Sequence, residues 1–286
     1  MPLYLMLLMS LKTVDRLFAL AFLRRRKQLS SIIYEKKDRI AYITLNRPEV
    51  LNAINTEMKK EINAAWNDFK NDPNVWVGIM SGAGNKAFSA GGDVTEVAGG
   101  YAAGTEMGEE YELLPFLDNE MWKPLIAAIN GWCLGGGLDL ALACDIRIAT
   151  ENSKLGLAEP KVGRIGSYPG IYKLSDQISY AAAMELILTG DRIDAHRARE
   201  IGLINQVVSS LEELMPAAEK MAERILACAP LAVKVSKELI TRGAEMSVPD
   251  RLNLLLERKA LINNSKDAEE GAKAFAEKRK PNWSGK

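Results

Sequence analysis

From Ser31 onward the chain alternates apolar and polar positions. Ile32, Ile33 and Tyr34 begin a strand, and Arg39 to Leu45 continues it after a turn at Lys37-Asp38. The period then changes. Ile54, Met58, Ile62, Ala65, Trp66 and Phe69 recur at helical spacing above a polar face, which predicts a helix that Asn71-Asp72-Pro73 ends. Val75 to Met80 is an apolar strand leading into a glycine loop at Gly82, and Ile126 to Ile129 is a second short apolar run. Strand and helix alternate through Val208, which argues for parallel strands joined by right-handed crossovers. Beyond Val208 the pattern is helical only. Leu211, Leu214, Ala218, Met221 and Ile225 form one stripe, Leu231, Val235 and Leu239 a second, and Leu252, Leu255 and Leu256 belong to a third helix. The expected organisation is α/β, with a β/α body over 31–208 and a helical region over 209–286.

Residues 1–30 differ from this. Leu3 to Met9 and Leu17 to Leu23 are apolar, Lys12, Asp15 and Arg16 interrupt them, and Arg24 to Lys27 closes the segment. Neither run approaches the ~20 residues that span a bilayer, so stable membrane insertion is not expected. Three readings stay open: an organelle-targeting peptide, a membrane-surface helix, or an inert extension. A cytoplasmic location is the expectation, and the mitochondrial matrix the alternative if 1–30 is a transit peptide.

The 286 residues, 48% of them hydrophobic, suffice for a sizeable core. Lys plus Arg equals Asp plus Glu at 37 each, without the basic surplus of a phosphate-tracking nucleic-acid binder, so no nucleic acid is expected. Cys133, Cys144 and Cys228 show no metal-ligand spacing and fit reduced thiols. His196, the only histidine, lies in the polar stretch Asp194 to Glu200, which argues against a His-rich metal site or a Ser/His triad. No metal and no cofactor are expected.

The chemistry concentrates in Lys123 to Asp145, KPLIAAINGWCLGGGLDLALACD. It reads as a strand, a glycine turn at Gly135-Gly136-Gly137, and a helix from Leu138 to Cys144 with Asp139 in its first turn. Bare backbone amides at a helix N-terminus stabilise an oxygen that gains negative charge. Asp139 alone could equally be an acid that suits the helix dipole. Gly91-Gly92-Asp93 also follows an apolar segment and offers a second set of bare amides.

The Lys123–Asp145 run resembles the signature of the crotonase superfamily, the enoyl-CoA hydratase/isomerase family. YITLNRPEVLNA (Tyr42 to Ala53), GAGNKAFSAGGD (Gly82 to Asp93), SKLGLAEPKVG (Ser153 to Gly163), the stretch from Ala181 to Val208, and AFAEKRKPNW (Ala274 to Trp283) resemble further family blocks. They stand in family order across about residues 31 to 283. The resemblance implies a crotonase-like spiral of β-β-α units with a helical C-terminal trimerisation region, as a trimer or dimer of trimers. It implies an acyl-CoA thioester substrate, with CoA entering only as part of it. The backbone N–H groups of Gly92 and Gly136 would form the oxyanion hole, although most relatives carry Ala at the position of Gly92. Asp139 and Glu159 occupy the two acid positions. Ala90 resembles the adenine-contacting turn, and Phe275 and Lys278 match positions that reach the nucleotide from a neighbouring subunit. Met107, Tyr111 and Trp132 are candidates for the acyl pocket.

Polarising the thioester carbonyl makes the β-carbon electrophilic. Paired carboxylates can then take a proton from water and deliver one to the α-carbon. Here the chain departs from the hydratase pattern, which has Glu at both positions. Asp139 is one methylene shorter, about 1.5 Å of reach. Dienoyl-CoA isomerases of the family use Asp at this position with another acid downstream, where this chain has Ser167. Enoyl-CoA hydratase is the first reading. A Δ3,Δ2-enoyl-CoA isomerase using Glu159 alone, a non-catalytic acyl-CoA binder, and an RNA binder are the alternatives.

Overall fold

The computed structural model describes residues 30–96, 120–167 and 169–286. A hairpin opens the β/α body: β1 (Ile32–Lys37) pairs antiparallel with β2 (Ile40–Leu45). Its turn falls at Asp38-Arg39, both at positive φ, one residue later than the sequence suggests. Helix α1 (Thr56–Asn71) starts after Asn55, whose side chain accepts from the Met58 amide at 2.9 Å. Its stripe of Met58, Ile62, Ala65, Trp66 and Phe69 is buried as expected. Ile54 is not part of that helix; it forms an isolated β-bridge with Gly92.

Next come β3 (Val77–Gly82) and β4 (Ala87–Ser89), then β5 (Leu125–Ile129), β6 (Trp132–Leu134) and α2 (Gly136–Ala143). They are followed by β7 (Ile146–Thr150) and β8 (Lys154–Gly156), with α3 (Leu174–Gln177) and α4 (Tyr180–Thr189) after them. The body closes with β9 (Arg192–Asp194), α5 (Ala195–Glu200) and β10 (Gln206–Val208). One sheet has the order β1-β2-β3-β5-β7-β10 and the other β4-β6-β8-β9. From β3 to β8 successive strands alternate between the first sheet and the second. That is the β-β-α spiral, with parallel neighbours throughout except the β1/β2 and β8/β9 pairs.

The long sheet is buried on both faces. From β5, Leu125, Ala127 and Ile129 point into the main core between the sheets, while Ile126 and Ala128 point the other way. Helix α6 (Leu211–Leu226) covers that second face with Leu214, Ala218 and Ala222. Leu211, on the predicted stripe, is 40% exposed. Helices α7 (Pro230–Gly243), α8 (Val248–Asn263) and α9 (Lys266–Ala276) follow. Glu238 of α7 accepts from Arg258 of α8 at 2.8 and 2.9 Å, clamping those helices. Leu254 is buried on α8, whereas Leu252, Leu255 and Leu256 are 53%, 45% and 56% exposed. Among the described residues no helix is long and apolar enough to cross a membrane.

Candidate active site

Two consecutive turns of the spiral each end in a loop with an uncovered amide. In the first, the Ile54 bridge sets the backbone. The Ile54 amide donates to the Gly91 carbonyl at 2.8 Å and the Asp93 amide donates to the Ile54 carbonyl at 3.0 Å. Gly92 lies between these bonds, and its own N–H has no acceptor among the described residues. Arg47 holds the far side of the loop, donating to Asp93 Oδ2 at 2.9 Å and to the Ala53 carbonyl at 2.7 Å. Asn52, fully buried, donates to the carbonyls of Ala83 and Ala87, and Ser89 Oγ donates to the Asn52 carbonyl at 2.8 Å. These braces make the loop a preformed feature of the fold.

In the second turn, β6 runs into α2 through Gly135, at φ 50 and ψ −125, a conformation that favours glycine. The helix starts at Gly136, two residues earlier than the sequence suggests, so the Gly136 N–H sits where no intrahelical acceptor exists. A Cβ built on Gly136 would lie 3.7 Å from the Gly92 nitrogen, so the two amides are neighbours. Together they offer donors to a single oxygen.

Asp139 is buried, at 2% exposure, in the first turn of α2. Its Oδ2 accepts from Ser167 Oγ at 2.5 Å, and its Oδ1 is buried without a hydrogen-bond partner. Burial pushes its carboxyl up to about 7, against the pull of the Ser167 hydroxyl; the Glu159 charge pushes it further, and the Gly170 N–H draws it down. Gly170 is the floor of this niche, since a Cβ there would come within 2.7 Å of Asp139 Oδ1.

Glu159 opens a 3-10 turn, Glu159–Val162. Its Oε1 lies against Gly135, where a Cβ would be 2.7 Å away, and its Oε2 is buried without a partner. Burial raises its carboxyl, while its own amide and Arg164 oppose the shift. The two acids thus each keep one buried oxygen unpaired, beside the two open amides. Buried polar atoms are normally satisfied, and a pair of exceptions marks a place for a ligand or water.

The other candidates are spread more widely. Ala90 is half-buried two residues before Gly92, its amide bonded to the Leu51 carbonyl at 3.0 Å. Trp132 lies on β6, with the Arg192 guanidinium 4.7 Å above its ring, so one ring face is taken. Phe275, 89% exposed, and Lys278 sit at the end of α9, and no hydrogen bond or ion pair joins them to the acids. Met107 and Tyr111 lie outside the described residues. His196 is exposed and bonded to Glu151 at 3.1 Å, as expected of a solvated helix residue. Among the described residues no group of three or more His, Cys, Asp or Glu could hold a metal ion.

Sequence reasoning missed the bracing roles of Asn52, Arg47 and Ser89 and the contact between Ser167 and Asp139. Asn52 and Arg47 fall inside the Tyr42–Ala53 block, but nothing separates them there from its other polar residues, Thr44, Asn46 and Glu49.

The family model described as Enoyl-CoA hydratase/isomerase matches residues 35–286. The chain is 37% identical over 262 residues to an (E)-benzylidenesuccinyl-CoA hydratase of Thauera aromatica, covering 89% of this chain and 99% of that protein. It is also 37% identical over 258 residues to a short-chain-enoyl-CoA hydratase of Clostridium acetobutylicum, covering 88% and 97%. The crystal structure of an enoyl-CoA hydratase from Mycobacterium tuberculosis superimposes with a TM-score of 0.83 at 37% identity, over 90% of this chain and 100% of that one.

Proposed function

The chain belongs to the enoyl-CoA hydratase/isomerase family, and from that footing we propose that it adds water across the double bond of an enoyl-CoA thioester, or removes it in the reverse direction. The observation that carries this reading is the pair of half-satisfied buried carboxyls, Asp139 and Glu159, beside the Gly92 and Gly136 amides.

The amides receive the thioester oxygen and stabilise it as the double-bond electrons move onto it. Asp139 takes a proton from water as the water oxygen bonds to the β-carbon. Glu159, which borders the Gly135–Gly136 turn and hence the carbonyl end of the substrate, gives its proton to the α-carbon. That protonation turns the enolate into the hydroxyacyl thioester. The step starts with one proton on the pair, on Glu159, and ends with one proton on Asp139; passing it back resets the site. No metal or redox group is needed by this scheme.

For the rest of the substrate we assign the Ala90 backbone to the adenine, Phe275 and Lys278 of a neighbouring copy to the nucleotide, and Met107, Tyr111 and Trp132 to the acyl wall. The exposed leucines of α8 support an assembly built on trimers. The body over 31–208 would then carry the chemistry and the helices over 209–286 the contacts between copies. A panel of enoyl-CoA thioesters, with products resolved as hydroxyacyl or shifted double bond, tests the reading. Hydroxyacyl product supports it; a shifted double bond alone makes the enzyme an isomerase, and no turnover of any thioester overturns catalysis.

A further inference from the structure

We propose that Ser167 is a positioning residue for the hydration step, holding the short Asp139 carboxyl by one oxygen so that the other faces the reacting water. The proposal rests on the hydratase reading above. Its basis is how the two carboxyl oxygens are treated. Oδ2 is held by the Ser167 hydroxyl at 2.5 Å, and Oδ1, backed by Gly170, has no partner. Ser167 thus supplies the one side-chain hydrogen bond that fixes the carboxyl plane, and Oδ1, with the Gly170 N–H behind it, is left for chemistry. Ser167 itself is exposed and lies in the irregular segment between the Glu159–Val162 turn and the turn at Pro169–Lys173. Nothing in the core requires its hydroxyl.

The hydrogen bond also chooses where the shared proton sits. Asp139 is the more deeply buried acid, so burial favours the form with the proton on Asp139 and the charge on Glu159. Hydration needs the opposite arrangement, with Asp139 charged to accept the proton of water. A hydroxyl donor stabilises the charged carboxylate. The groups facing Asp139 are Glu159 from the 3-10 turn, the Gly170 N–H and Ser167 from the following segment, and the Cys133 thiol from β6, which burial keeps neutral. Ser167 is the one side chain among them that favours the reactive form.

Removing the hydroxyl should act on the pH profile as well as the rate. The pair must hold one proton to work, and Asp139 is the last of the two to lose it, so the alkaline limb reports Asp139. The full-length protein and its Ser167→Ala and Ser167→Thr variants are assayed for hydration of crotonyl-CoA from about pH 5 to about pH 10. A hydrogen bond to a charged group is worth roughly tenfold to a hundredfold, so Ser167→Ala should lower kcat by about that factor. KM should stay within about twofold, because the lost contact is to the enzyme and not to the substrate. The alkaline limb should move up by about one unit, and Ser167→Thr should restore both kcat and limb.

A second measurement, infrared titration of 13C-labelled aspartate with Asp139→Asn as the reference, follows the carboxyl without turnover. An upward shift of the Asp139 titration in Ser167→Ala supports the hydrogen-bond role even if no thioester is hydrated, in which case the hydratase reading alone fails. Hydration by the wild type with an unmoved titration and limb in Ser167→Ala overturns the proposal and leaves the hydratase reading standing.

Discussion

Gly135 and Glu159 share one small space: a Cβ on Gly135 would stand 2.7 Å from Glu159 Oε1. The glycine that turns β6 into α2 therefore also leaves room for the acid of the next turn. Gly135→Ala should be penalised twice. The φ of 50 and ψ of −125 would cost about 1–3 kcal/mol in a non-glycine residue. Displacing Glu159 by about 1 Å should lower kcat by roughly 10²-fold. Urea unfolding and crotonyl-CoA kinetics on the same preparation separate the two effects, and unchanged kcat would refute the second.

The acid pair is tested directly by conservative changes. Glu159→Gln keeps the shape but cannot exchange the proton, so turnover should fall by about 10²-fold or more with acyl-CoA still bound. Asp139→Asn should be comparably damaging in a hydratase and mild in a single-acid isomerase. Asp139→Glu should raise hydration of a short enoyl-CoA if the niche admits the longer acid. Near-wild-type hydration by Glu159→Gln would reject the assignment of the site.

Asp139→Asn should also stabilise the fold, in a pH-dependent way. The folded carboxyl titrates at about 7, above its ordinary value of 3.8, so the folded state holds the proton more tightly than the unfolded one. Stability contributed by the protonated acid is then present at low pH and lost as pH rises through the folded value. The Asn variant has no such loss. Its advantage should reach on the order of 2–4 kcal/mol at about pH 8 and vanish near pH 4. Equal denaturation midpoints of the two proteins at both pH values would contradict a buried, proton-retaining Asp139.

Gly92 should accept alanine. A Cβ at this position meets nothing within 4 Å, and Gly92 is not among the glycines at positive φ. Reducing unfolded-chain freedom should stabilise the protein by about 0.4–1 kcal/mol. The amide stays in place, so kcat should hold or rise slightly. A lower melting temperature together with lost activity would mean that the loop needs its glycine.

The leucines of α8 provide a test of assembly. Leu252, Leu255 and Leu256 are exposed on the single chain, and Leu256→Asp should place a charge in the contact between copies. Sedimentation should give a trimer or dimer of trimers for the wild type and a smaller species for the variant. A wild type that sediments at 31.5 kDa would dispose of the proposal.

Much of this architecture could be read from periodicity, because burial follows it closely. Ile126 and Ala128 face α6 while Ala127 and Ile129 face the main core, as an apolar run buried on both sides requires. The α1 stripe was equally legible, except for Ile54. Its spacing fits the helix, but the Asn55 cap starts the helix beyond it and releases Ile54 to bridge Gly92. The spiral was visible only through family resemblance, since strand pairing at long range leaves no local pattern. Similarly, Asp139 and Glu159 stand in motifs that the sequence displays, but the raised carboxyls and the Ser167 contact come from tertiary enclosure. A serine 28 positions downstream carries no mark of its partner.

The winding of the chain has a consequence for how such a protein can change. The Gly92 amide comes from one turn of the coil, Gly136 and Asp139 from the next, and Glu159 with Ser167 from the one after. The spacing between these parts is thus the pitch of the stacked strands, a backbone distance of about 4.8 Å per neighbour that side-chain substitution hardly alters. Connections other than those that carry Gly92, Glu159 and Ser167 can lengthen, shorten or change composition without moving amide relative to acid. Reaction and selectivity are therefore separately adjustable: the stack keeps the ruler, and the excursions from it are free to be rewritten for a different acyl group.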